Sequence, residues 1–176
     1  QRKKAKQANF GIIYGITTYG LAQRMDISNG EAKELIEGYF RTFPKVQAYM
    51  EQAKEEARAK GYAETLFHRR RYLADINSRN ATVRGFAERN AINAPIQGTE
   101  ADIIKVAMVR IWERFKKEGI RSKMILQVHD ELNFSVYPEE REQVERIVIE
   151  EMQNAYPLNV PLTADAGWGK NWLEAH

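Results

Sequence analysis

The sequence predicts an α+β fold, mostly helical, with a partial antiparallel sheet. Three observations predict it. Apolar residues recur at helical spacing along most of the chain. Strand-like stretches are short and confined to 62–74, 123–136 and 160–166. A chain of 176 residues, 43% apolar and 29% charged, is long enough to bury a core and shows no repeat, low-complexity tract or Pro/Gly/Ser linker.

The elements follow in order. Residues 2–14 read as a helix ended by Gly15, with no Ser, Thr, Asp or Asn ahead of it to cap the first turn. That uncapped start, behind Gln1 rather than a methionine, gives the expectation of a piece of a longer protein. Ser28 and Glu31 have the spacing of a capping box, and Ala32, Leu35, Ile36, Tyr39 and Phe40 follow on one expected buried face. Phe43-Pro44 breaks that helix, and Pro44 opens another through Val46, Met50, Ala53 and Ala57 to Gly61. The alternation over 62–74 suits a short strand pair. Ser78 is placed to cap a helix reaching about Asn93, where Pro95 forbids continuation. Thr99 then caps a separate helix, with Ile104, Ala107, Ile111 and Phe115 along one face and Gly119 at its end. Residues 123–128 and 132–136 read as strands joined by a tight turn at His129–Glu131. Pro138 opens an acidic amphipathic helix with Val144, Ile147, Val148 and Met152 inward, and a last strand is expected over 160–166.

Composition narrows the chemistry. The absence of cysteine excludes disulfide frameworks, thiol catalysis and cysteine zinc sites, and three histidines (His68, His129, His176) leave little for a histidine-rich metal centre. No run approaches a membrane span, and no signal-peptide pattern opens the chain. The net charge of +3 conceals a division: residues 130–176 carry ten acids against three bases, and residues 1–129 carry 24 bases against 14 acids. A surface of +10 beside one of −7 suits a polyanionic partner on one side, or two ordinarily solvated faces of opposite sign.

Three stretches carry candidate chemistry. Arg2, Lys6, Phe10 and Tyr14 stand four residues apart, a single stripe on a helix. Two cations followed by two aromatics suit a ligand with phosphates at one end and a flat base at the other; the plainer reading is a basic surface helix with an aromatic edge in a core. Gly11, mid-helix, leaves room for something to approach the backbone. The segment QVHDEL, Gln127 to Leu132, sets two carboxylates, Asp130 and Glu131, at a turn between apolar strands. Hard oxygen donors there suit Mg²⁺, although acids at a turn are also simply solvated. An arginine-rich stretch runs through Arg69, Arg70, Arg71, Arg79, Arg84 and Arg89 to Asn93 and Gln97. Arg89, Asn93 and Gln97 repeat at four-residue spacing, which suits phosphate contact by Arg and groove contact by the amides, or a salt-bridged helix surface.

Together these stretches resemble the bacterial family A DNA polymerases. The segment RKKAKQANFGIIYG matches the family's fingers-helix motif R-x-x-x-K-x-x-x-F-x-x-x-Y-G at every position, and QVHDEL matches its palm hairpin motif. Between them, TLFHRRRYLADI and ERNAINAPIQGTEADI resemble family segments in the same order and spacing, and GWGKNWLEAH resembles the family's C-terminus. The resemblance covers essentially all 176 residues.

The resemblance implies a DNA-directed DNA polymerase with two Mg²⁺ ions, primer-template DNA and dNTP as partners, and a bacterial, cytoplasmic and nucleoid-associated setting. It implies that Arg2 and Lys6 bind the dNTP phosphates, with Lys6 also acting near the leaving group or as a proton donor. Phe10 lies against the sugar and base, where a phenylalanine discriminates against dideoxynucleotides, and Tyr14 closes the helix over the template–primer pocket. By the same resemblance Arg89, Asn93, Gln97 and His129 would touch primer and template, and Asp130 would be a catalytic metal ligand with Glu131 its acidic neighbour. Residues 1–93 correspond mainly to the fingers and 94–176 to the C-terminal part of the palm. The first palm motif, roughly D-Y-S-Q-I-E-L-R, which supplies the second aspartate, has no counterpart here, nor do the thumb and exonuclease domains. The expectation is a chain inactive alone, completed by the remainder of the polymerase. Among departures, His68 and Ala74 stand where relatives often have glycine and proline, and Asn133 and Phe134 where aliphatic residues are usual. Two other classes fit parts of the sequence: a non-catalytic DNA-binding module, and a phosphohydrolase with a His129-Asp130 dyad, which lacks the further histidines it needs.

Overall fold

The computed structural model describes residues 2–175, the side chains of Lys3 and Lys4 excepted. Those two side chains, with Gln1 and His176, lie outside the described residues. The chain divides into two compact units, residues 1–98 and 99–176.

The first unit is helical with one small hairpin. Helix α1 spans Arg2–Ile13, and Gly15 follows at φ +72°, a backbone conformation that glycine adopts without steric cost. Helix α2, Thr18–Met25, has no counterpart in the expected elements. It exists because the Thr17 hydroxyl accepts the Gly20 N–H at 3.1 Å and Leu21 and Ala22 are buried. Helix α3, Asn29–Thr42, starts on the expected capping box: Ser28 Oγ accepts the Glu31 N–H, and the Glu31 carboxylate accepts the Ser28 N–H. Its inward face carries Ala32, Ile36, Tyr39 and Phe40, but Leu35 is 44% exposed and does not belong to it. Helix α4, Pro44–Lys60, has proline in its first turn and ends on Gly61 at φ +79°.

Strands β1 (Tyr62–Glu64) and β2 (Arg70–Tyr72) pair antiparallel in the register Tyr62↔Tyr72, Ala63↔Arg71, Glu64↔Arg70. The Thr65 hydroxyl accepts the N–H groups of Phe67 and Arg69 and closes the connecting turn. His68 sits in that turn at φ +63°, a conformation that explains why glycine would suit the position. Two apolar clusters support the unit. Ile12, Leu21, Ala22 and Ala32 join α1 to α3, and Ala57, Ala63, Leu73, Ile76, Ala87 and Ala91 join α4, the hairpin and the helix that follows it.

Helix α5 departs most from expectation. It runs from Ala81 to Glu118 without interruption, through Pro95 and through Thr99. The expected break before Pro95 and cap at Thr99 are both absent, and Thr99 is a buried residue inside the helix. Nor is Ser78 the cap: Asn80 Oδ1 accepts the N–H groups of Thr82 and Val83.

The second unit packs the later part of α5 against a hairpin and one further helix. Ala107, Ile111 and Phe115 meet Val144, Ile147 and Ala155, with Met124, Leu132, Phe134, Val148 and Met152 around them. Phe134 packs against Phe115 at 5.9 Å between ring centroids. Strands β3 (Lys123–Val128) and β4 (Glu131–Ser135) pair antiparallel, with a bulge at Ile125 that leaves both Ile125 and Leu126 exposed. A 3₁₀ turn, Pro138–Glu140, leads into α6, Arg141–Gln153. Residues 160–166 form no strand among the described residues; Val160 is 72% exposed, and a strand needs a ladder partner that this segment does not meet. The short helix α7, Trp172–Ala175, closes the described chain.

Ion pairs trim this unit. Arg114 reaches Glu118, Glu150 and Glu151 at 3.1, 2.6 and 3.0 Å, which raises its own pKa. Glu140 accepts from the Ser122 hydroxyl at 2.6 Å and from the Arg121 and Ser122 N–H groups. Those donors hold its carboxyl at about 2, well below the usual range.

Candidate functional site

The α1 stripe forms as its spacing requires. Arg2 and Lys6 are exposed, and the Lys6 ammonium lies 5.7 Å from the centroid of the Phe10 ring. The Phe10 and Tyr14 rings follow with centroids 6.0 Å apart and planes 33° from parallel. Cation, ring and ring therefore run along one face, with Phe10 46% exposed and Tyr14 half-buried. The contact of Lys6 with Phe10 is weak, about 0.5–1 kcal/mol at an exposed site, whereas a charge-assisted hydrogen bond is worth about 1.5–3 kcal/mol. A phosphate would therefore draw the ammonium off the ring. Gly11 does not leave the backbone open to a ligand: a Cβ there would lie 3.3 Å from Ile16 Cγ2, so the space belongs to the protein's own chain.

The α5 stripe begins where α1 ends. A Cβ on Gly15 would lie 3.3 Å from Arg89 Cγ, so the end of α1 rests on the Arg89 stem. The Arg89 guanidinium carbon is 6.0 Å from the centroid of the Phe86 ring. Asn93 is half-buried with its Oδ1 enclosed and unpartnered, and Gln97 is exposed. Because α5 is continuous, all three ride on one helix. The first unit thus brings Tyr14 and its neighbours to the side of Arg89.

The hairpin motif lies in the second unit. His129 occupies the turn at φ +53°, and the Gln127 side-chain amide donates to its carbonyl at 2.7 Å. Asp130 is exposed at the tip and Glu131 is half-buried. The Trp172 indole N–H donates to Glu131 Oε2 at 3.3 Å. Among the described residues, no three His, Asp or Glu side chains come together as a metal centre. The hairpin itself offers one or two carboxylates.

Three further residues support these motifs through contacts that the sequence does not mark. Trp172 holds Glu131 from 41 residues away. The Tyr49 hydroxyl donates to the Ile92 carbonyl at 3.1 Å, and burial, with Glu56 nearby, pushes its phenol pKa up. Arg69 Nη2 donates to the Gly98 carbonyl at 2.9 Å. No spacing pattern marks these pairs, because each joins residues distant in sequence.

Similarity to known proteins settles the family of this chain. A model of DNA polymerase family A matches residues 1–174. The chain belongs to DNA polymerase family A. This family A chain is 53% identical to DNA polymerase I of Bacillus caldotenax over 174 residues, 99% of this chain and 20% of that protein. It is 52% identical to DNA polymerase I of Geobacillus stearothermophilus over the same length, with the same coverage. A thermostable DNA polymerase I of Thermus filiformis is 49% identical, with 99% and 21% covered. The chain thus spans about a fifth of the length of the curated relatives it matches. Among solved structures, the POL domain of Pol1 from M. smegmatis, in complex with DNA primer-template and dNTP, aligns with a TM-score of 0.96 at 48% identity. That alignment covers 99% of this family A chain and 31% of the other. The mostly helical α+β class expected from the sequence holds.

Proposed function

We propose that residues 1–93 are mainly the fingers and residues 94–176 the C-terminal part of the palm of a DNA-directed DNA polymerase. It acts in replication and repair, in the bacterial cytoplasm at the nucleoid. The observation that carries this reading is the likeness, at a TM-score of 0.96, to a polymerase domain whose complex holds primer-template DNA and dNTP.

In the proposed reaction the primer 3′-hydroxyl gives up its proton to water and attacks the α-phosphorus of the dNTP, the bond to the bridging oxygen breaks, and pyrophosphate leaves. Arg2 and Lys6 neutralise the triphosphate; Lys6 remains beside the leaving group and gives it a proton. Phe10 lies against the sugar and base, and Tyr14 covers the nascent pair. Arg89, Asn93, Gln97 and His129 hold primer and template.

Asp130 is the metal ligand and Glu131 its neighbour, oriented by the Trp172 N–H. The donors fit Mg²⁺: they are hard carboxylate oxygens, and Asp130 is exposed at a turn, where an ion keeping several waters can reach it. When bound, Mg²⁺ supplies charge stabilisation to the attacking and leaving oxygens. The remainder of the polymerase chain would complete the site.

Primer extension tests the reading. The intact polymerase should add the dNTP complementary to the template, and the 176-residue chain alone should add none. Template-directed addition by the chain alone would contradict the division of the site between this chain and the rest.

A further inference from the structure

Proline inside α5 creates a problem that the rest of the first unit solves. Pro95 has no N–H to give to the carbonyl of Ala91, and a proline ring crowds that carbonyl, so the turn before it is short of one main-chain bond. A turn weakened in this way gains from donors outside the helix. At this turn the Tyr49 hydroxyl, from α4, donates to the Ile92 carbonyl at 3.1 Å. One turn later the Arg69 guanidinium, from the β1–β2 turn, donates to the Gly98 carbonyl at 2.9 Å. The approach is close at that point: a Cβ on Gly98 would lie 2.6 Å from Thr65 Cγ2. The two bonds therefore bracket Pro95, one on the residue before Asn93 and one on the residue after Gln97.

The adjoining cavity, lined by Tyr49, Ala53, Ala57, Ala91 and Pro95 among others, holds about 200 Å³, below the range of a nucleotide-sized ligand site. Asn93 Oδ1 makes no hydrogen bond that would anchor the side chain from within.

We propose that Tyr49 and Arg69 are positioning residues for primer-template binding, fixing the Asn93 and Gln97 amides by bracing α5 on both sides of Pro95. The proposal rests on the reading of Asn93 and Gln97 as DNA-binding residues. It assigns neither Tyr49 nor the bracing nitrogen of Arg69 a contact with DNA.

The test uses the intact polymerase and the variants Tyr49→Phe, Pro95→Ala, their combination, and Asn93→Ala. Primer-template Kd, KM for dNTP and thermal midpoint are measured for each. Tyr49→Phe keeps the ring and removes only the donor, so primer-template affinity should fall about threefold to tenfold while KM for dNTP stays unchanged. Pro95→Ala returns an N–H to the helix, so in that background Tyr49→Phe should change affinity less than twofold. Such a rescue would not occur if Tyr49 merely supported the fold. Wild-type affinity in Tyr49→Phe, or an equal loss with and without Pro95, overturns the brace. Wild-type affinity in Asn93→Ala overturns the DNA-binding assignment beneath it, and the brace with it.

Discussion

At the scale of single residues, the stripe on α1 ties its spacing to its proposed chemistry most directly. Lys6 is exposed and rests on the Phe10 ring, so its charge is available but not yet committed. Lys6→Ala removes that charge and, under the proposed role, one charge-assisted hydrogen bond worth about 1.5–3 kcal/mol. The expected result in the intact enzyme is a fall of about 10- to 100-fold in kcat/KM for dNTP, with primer-template affinity retained. Steady-state kinetics with saturating DNA checks it, and unchanged kinetics would remove Lys6 from the phosphate site. His129, a non-glycine residue at φ +53° beside Asp130, shows the kind of backbone strain that persists where the surroundings dictate a side chain's position.

At the scale of elements, local signals were readable and distant ones were not. The Ser28–Glu31 box, the terminators Gly15, Gly61 and Gly119, and the buried face of Ile104, Ala107, Ile111 and Phe115 all depend on neighbours within a turn or two. Each forms as expected. The continuation past Pro95 is not marked locally; the side-chain bonds to the helix around it come from Tyr49 and Arg69, 43 and 29 residues away from their partners. The expected strand over 160–166 failed for the opposite reason: its pattern is right, but no described segment pairs with it. The short helix α2 rests on one threonine cap and two buried side chains, too little pattern to stand out.

The turn from Pro138 to Glu140 makes an element-scale prediction about pH. Glu140 accepts from Ser122 and Arg121, and its carboxyl is lowered to about 2 in the folded chain against an ordinary 4.5. A depressed carboxyl pKa contributes stability that is complete above about 4.5 and is lost as pH falls toward 2. The amide resonances of Arg121 and Ser122, followed by NMR through acid titration, should therefore shift with a midpoint near 2. In Glu140→Gln this titration should vanish. A midpoint at the ordinary carboxylate value would show that the hydrogen-bonded anchor does not form.

At the scale of the whole molecule, the charge division acquires a functional sense. The basic excess of residues 1–129 includes the α1 and α5 stripes of the first unit, and the acidic remainder includes the hairpin tip and the face of α6. Under the proposed function the basic part meets phosphate, and Asp130 meets the metal. The site's residue types were legible because four-residue spacing on a helix and adjacent carboxylates at a turn are local patterns. Its support was not legible, since Trp172 reaches Glu131 across 41 residues. Under the same proposal Asp130 serves the chemistry and not the grip on DNA. The measurement is single-turnover dNTP incorporation by the intact polymerase carrying Asp130→Ala, paired with its primer-template Kd. Incorporation should fall by at least about three orders of magnitude, the loss of about 4 kcal/mol of transition-state stabilisation, while Kd stays within about threefold. Incorporation at the wild-type rate in that variant would contradict the account.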